Sequence, residues 1–183
     1  MKKILERLNR AAQLRNILTL LALQTLLQIV LLGWFLPQLQ GPEKSFDTLD
    51  LRFSYSTQDV RDYFLALGAP GRLAYTFNEL VDLIFGLVYV LSFIFIIAAL
   101  GRMAFSEKKF WYWFYILPLV LVTCDYIENF SILAMIANFP ENIHIAPFAS
   151  FFTSIKQIVL ATTIFLIMGM GLAAFKKKLF SIK

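Results

Sequence analysis

The chain has 183 residues, of which 59% are hydrophobic and 16% charged, with 19 phenylalanines and a mean hydropathy of +0.69. These values exclude an ordinary soluble domain, whose surface would have to carry large apolar patches. The net charge of +5 does not indicate nucleic acid, because the basic residues fall in three groups at the ends of apolar runs. The single cysteine, Cys124, excludes an internal disulfide and any cysteine zinc cluster, and within an apolar run it reads as a small core residue.

Four apolar runs, roughly Asn16 to Leu36, Phe77 to Leu100, Trp111 to Ala137 and Ser150 to Phe175, each reach the ~20 residues that a helix needs to cross ~30 Å of hydrocarbon. The predicted fold is all-α: a single integral membrane domain over residues 1–183, a four-helix bundle with one outer loop that contains a short helix between spans 1 and 2. A β-barrel would show segments of about ten alternating residues instead.

Residues 1–15 carry Ile4, Leu5, Leu8, Ala11 and Ala12 among basic side chains. They predict a cytoplasmic amphipathic segment lying on the anionic leaflet, or else a basic stop that only fixes orientation. The first run is long for a signal peptide and Trp34-Phe35-Leu36-Pro37 offers no small-residue cleavage site, so it reads as a retained anchor. The outer loop, 37–76, opens with turn chemistry at Pro37, Gly41 and Pro42. Leu49 to Tyr55 alternates apolar and polar side chains and predicts an extended segment along the bundle mouth. Ser56 or Thr57 then caps a helix through about Leu67, Gly68 stands at a left-handed C-cap, Pro70 and Gly71 make a second turn, and Arg72 restarts a helix into span 2.

Trp111, Tyr112, Trp113 and Tyr115 predict an aromatic belt at the inner end of span 3, and Pro118 a kink one turn further in. His144, the lone histidine, lies in the second outer connection between Pro140 and Pro147 and reads as solvent-facing. The groups Lys2 to Arg15, Arg102 to Lys109 and Lys176 to Lys183 give the positive-inside pattern, which predicts both termini in the cytoplasm.

The chemistry concentrates in a few polar residues inside the runs. Tyr75, Asn78, Asp82, Gly86 and Tyr89 share one helical face; Asp125, Glu128 and Asn129 share another; Thr153, Lys156, Gln157 and Thr163 lie near one another; Gln24 and Gln28 are one turn apart. Lipid offers such groups no partner, so each stripe should face inward. Counting ~1.5 Å per residue from the outer ends, Asp82 and Lys156 lie roughly 10 Å deep, Gln28 and Glu128 roughly 12 to 15 Å, and Gln24 and Asp125 roughly 20 Å. Lys156 is expected to pair with Asp82 or Glu128. Three acids against one lysine leave negative charge for a proton, a cation, a basic ligand or water.

The run Tyr55-Ser56, then Leu67-Gly68-Ala69-Pro70-Gly71-Arg72-Leu73-Ala74-Tyr75, Asp82, Tyr89 and Asp125-Tyr126-Ile127-Glu128-Asn129 resembles a family of small uncharacterised four-span bacterial membrane proteins. The likeness covers roughly half the chain and its motifs are short. It implies a four-helix fold in a bacterial cytoplasmic (inner) membrane and no reaction, and it draws attention to Arg72 and Tyr75. Arg72 is expected either to close over the acids, pairing with Glu79 or with an acid below it, or to snorkel to lipid phosphate.

The expected ligand site comprises Asp82, Asp125, Glu128, Asn129, Lys156, Arg72, Tyr75 and Asn78: an outward-opening pocket for a cationic or amphiphilic small molecule, a lipid or an ion, with the loop helix as its lid. An alternative is a structural or assembly subunit whose polar network fixes helix packing, partnered by another membrane protein or by a second copy of itself. Less favoured is an intramembrane enzyme holding a hard cation such as Mg²⁺ on Asp82, Asp125 and Glu128. The residues name no cofactor.

Overall fold

The computed structural model describes residues 2–40, 48–105 and 110–180. Among them there is no strand, and the helices are α1 (Lys2–Ala11), α2 (Leu14–Leu39), α3 (Thr57–Phe105), α4 (Ile116–Ala137) and α5 (Ala146–Phe180). Four helical stretches, those containing α2, α3, α4 and α5, are long and apolar enough to cross a membrane. Helices of this kind satisfy their own backbone hydrogen bonds, which hydrocarbon cannot do. The expected turn at Gly41 and Pro42 and the basic residues Lys108, Lys109 and Lys183 lie outside the described residues.

Helices α3, α4 and α5 pack on one another, while α2 leans on α3 and scarcely touches α4 or α5. Helix α2 also contains a π-helical turn, Leu31–Phe35.

Two apolar cores hold the assembly. At the loop end, Val60, Tyr63, Phe64 and Leu67 pack with Tyr75, Ile132, Met135 and Ile143. At the opposite, basic end, Ile94, Ile97 and Ala98 pack with Trp111, Tyr115, Leu121 and Met170.

The loop helix forms as its sequence dictates. Ser56 N and Oγ donate to Asp59 Oδ2 at 2.7 and 2.6 Å while Asp59 N donates back to Ser56 Oγ at 3.2 Å, a reciprocal cap on the first turn. Those bonds from Ser56 hold the Asp59 carboxyl below its ordinary range. The helix breaks at Gly68 alone, with φ 61° and ψ −174°. This is an extended, positive-φ conformation open essentially to glycine only, not the left-handed helical region of an ordinary C-cap.

Four local expectations need correction. Pro70 and Gly71 are already helical, because proline's fixed φ suits the first turn after the break. Pro118 does not kink α4: it falls in the first turn, where a backbone N–H has no intrahelical partner to lose. Trp111 and Tyr115, at 3% and 6% exposure, are core residues, and of the expected belt it is Trp113 that faces outward. The loop segment after Asp50 is extended only from Arg52 onward, since Leu49–Leu51 forms a single tight turn.

Helix α1 is tied to the basic end. Arg102 Nη1 donates to Asn9 O at 2.8 Å and Nη2 to Ala12 O at 2.6 Å, while Asn9 Nδ2 donates to Tyr112 OH at 2.9 Å. The guanidinium thereby satisfies carbonyls at the C-terminus of α1.

Candidate functional site

The polar stripes of α3, α4 and α5 meet toward the loop end, around Lys156. Its ammonium lies 3.2 Å from Asp125 Oδ1 and contacts Glu128 Oε2. Glu128 is fully buried, and its other oxygen accepts from Thr153 Oγ1 at 2.6 Å. With its single proton committed there, Thr153 can only accept from the Tyr55 phenol 3.3 Å away. Burial, then the Glu128 carboxylate, pushes that phenol above its ordinary value and keeps it a donor.

Asp125 Oδ2 accepts from Tyr89 OH at 2.9 Å. The close approach of α3 and α4 here depends on Gly86, where a Cβ would stand 2.8 Å from Tyr126 Cε1 and 3.3 Å from Asp125 Oδ2.

Asp82 is not a partner of Lys156. Its Oδ2 accepts from Asn129 Nδ2 at 2.8 Å, and among the described residues no protein donor reaches its Oδ1. Tyr75 is fully buried and donates to Asp50 Oδ1 at 3.0 Å.

These residues border a cavity of about 750 Å³, within the 300 to 1,000 Å³ usual for small-ligand sites. Of the candidate residues, Asn78, Asp82, Asp125 and Lys156 line it, together with Asp50, Tyr89, Gln24, Gln28 and Gln157. Glu128 and Asn129 stand behind the wall and hold Lys156 and Asp82 in place.

The lid expectation shifts. The cavity's loop end is bounded by Leu36, Leu39 and the Thr48–Leu51 turn, not by the loop helix. That part of the loop is strapped to one face of α5: Ser150 Oγ accepts from Tyr55 N at 2.8 Å, Ser154 Oγ donates to Phe53 O at 2.7 Å, and Gln157 Nε2 donates to Arg52 O at 2.6 Å. Arg72 does not join the acids at all. Its Nη1 donates to Phe64 O at 2.8 Å and its guanidinium sits 4.8 Å over the Phe139 ring, so it closes the last turn of the loop helix.

Two acids escaped the sequence reading of the site. Asp50 reads in sequence only as part of the extended segment Leu49 to Tyr55. Glu79 was considered only as a partner for Arg72, although it lies four residues after Tyr75 and three before Asp82 and so falls on their face. It is 1% exposed, Asn78 Nδ2 donates to its Oε1 at 3.4 Å, and its Oε2 accepts nothing from the described residues.

Among the described residues no three His, Cys, Asp or Glu side chains are placed to hold a metal ion. The oxygen cage expected of Asp82, Asp125 and Glu128 does not form, because Lys156 stands between two of them and Asn129 holds the third. No family model, curated protein or solved structure matches the chain.

Proposed function

We propose that the chain is a four-span protein of a bacterial cytoplasmic membrane, both termini inside, whose cavity binds a cationic or amphiphilic small molecule, lipid or ion in the outer half of the bundle. The observation that carries this reading is the composition of the cavity wall. Asp50, Asp82 and Asp125 face about 750 Å³ of space with Lys156 as the one basic lining residue among the described residues, and Lys156 is already committed to Asp125 and Glu128. Isolated carboxylates at membrane depth are costly enough that an excess of them over lysine favours a positively charged occupant.

One observation favours the alternative of a packing network in a structural subunit: Asp50, Asp82 and Asp125 each accept at least one protein hydrogen bond. Equilibrium binding of tetraphenylphosphonium to the purified protein separates the two. The ligand-site reading expects saturable binding that falls at least tenfold in Asp82→Asn and Asp125→Asn proteins of unchanged helical content. Absence of saturable binding to the wild-type protein, with both variants merely less stable, would favour the packing network.

A further inference from the structure

The cavity has a side as well as an end. Because α2 leans on α3 and scarcely touches α5, the wall between α2 and α5 is the thin one. Its lips are Leu32 of α2, 44% exposed, and Leu160 and Ile164 of α5, 37% and 44% exposed, with the small side chain of Ala161 exposed between them. A shallower groove on α2 shares Gln24, Gln28 and Leu32 with the cavity. The π-helical turn begins at this wall, and such turns concentrate at functional sites.

Along α3 the lining also changes character. Asn78 and Asp82 give way to Phe85 and Phe93. From Asp82 to Phe93 is about 16 Å at ~1.5 Å per residue, close to half of the ~30 Å hydrocarbon core.

The polar part of the wall leaves carboxylate oxygen open. Among the described residues no protein donor reaches Asp82 Oδ1, and Tyr89 and Lys156 in the wall and Asn129 behind it already serve carboxylates, while the Gln24 and Gln28 amides offer N–H and C=O alike, the buried Gln24 Oε1 accepting no hydrogen bond from the described residues. A quaternary ammonium has no N–H to give such a wall, whereas a primary ammonium has three.

Resting on the binding reading above, we infer that the ligand is an amphiphile with a primary ammonium head, taken from the bilayer through the gap between α2 and α5. The head sits at Asp82 with Gln24 within the same cavity, and the chain lies along Phe85 and Phe93 or leaves past Ala161 into lipid.

The test uses the full chain in phosphatidylcholine nanodiscs with a dodecylamine carrying a dansyl group at its tail end. Unlabelled dodecylamine should displace this probe at least tenfold better than butylamine, which carries the head alone, and at least tenfold better than dodecyltrimethylammonium, which carries the chain under a donor-free head. Ala161→Trp and, on the opposite lip, Leu32→Trp should each slow association at least tenfold, so the outcome does not depend on one variant folding. Equal competition by butylamine with unchanged association in both tryptophan variants would overturn the lateral route while leaving the pocket reading standing. Equal competition by dodecyltrimethylammonium would overturn the assignment of a donating head. If neither this probe nor tetraphenylphosphonium binds the wild-type protein, the pocket reading fails and takes the inference with it. Weaker probe binding in phosphatidylethanolamine nanodiscs would support the ligand class with a lipid as its source, and unchanged binding would support it with a free amine.

Discussion

Lys156 is the residue on which the polar layer depends. It faces Asp125 and Glu128 with only 13% of its side chain exposed, and removing one partner of a buried ion pair leaves an uncompensated charge that costs about 3 to 5 kcal/mol. Lys156→Met should therefore destabilise the protein in detergent unfolding by about that amount. Lys156→Met with Glu128→Gln should recover at least about 1 kcal/mol, whereas Lys156→Met with Asp82→Asn should behave additively, because Asn129 holds Asp82 separately. Coupling to Asp82 equal to that with Glu128 would show that the pairing is wrong. Depth along the helices was legible only in part: it brought Lys156 level with Asp82 and near Glu128 but set Asp125 roughly 10 Å deeper, although the ammonium lies 3.2 Å from Asp125 Oδ1. The choice among its three acids was not legible, because it depends on the rotation of each helix about its own axis and on the reach of the lysine stem, neither of which residue spacing encodes. Asp50 was hidden for a different reason: it enters the site from a loop turn held at the cavity mouth by the Tyr75 hydroxyl, by burial of Leu49 and by the hydrogen bonds of the following residues to Ser150, Ser154 and Gln157.

At the scale of elements, Gly68 decides that the loop helix and the long helix after it are two bodies in one continuous run. A Cβ at this position would meet nothing nearer than Pro70 Cδ at 3.8 Å, so a larger residue is opposed by the backbone alone. Gly68→Ala should cost roughly 1 to 3 kcal/mol from the strained φ. Detergent unfolding measures this, and Gly71→Ala is a poor control because its Cβ would come within 2.9 Å of Leu67 Cβ. An unchanged midpoint for Gly68→Ala would mean that the break relaxes without cost. The glycine, the Ser56 cap and the long apolar runs were all readable because each reflects local chemistry that holds wherever the element packs. The burial of Trp111 and Tyr115 was not readable, since an aromatic ring at a helix end has the same sequence signature whether it meets lipid or protein. Similarly, nothing in the leucine-rich sequence of α2 reveals that it leans on α3 and scarcely touches α5, the side on which the cavity wall is thin.

For the molecule as a whole, the two described ends differ in charge, and this difference carries the topology. Arg102 binds the C-terminal carbonyls of α1, so the N-terminal helix is at the same end as the turn between α3 and α4. That is also the end at which α5 finishes in Lys176, Lys177 and Lys178. The opposite end carries Asp50, Asp59, Asp62 and Glu141 against Arg52, Arg61 and Arg72, so it lacks the basic excess. Basic residues retained on one side of a bilayer orient short loops strongly, and in the proposed arrangement four crossings would return the chain to the side from which it started. Cysteines introduced singly at His144, exposed in the turn between α4 and α5, and at Lys177, in a Cys124→Ser background, test this arrangement. A membrane-impermeant maleimide applied to intact cells should label position 144 at once and position 177 only after permeabilisation. The reverse pattern would invert the orientation and put the acidic cavity in the cytoplasmic half. Labelling of both positions in intact cells would rule out an arrangement in which α5 crosses the membrane, because one helix of 35 residues separates them.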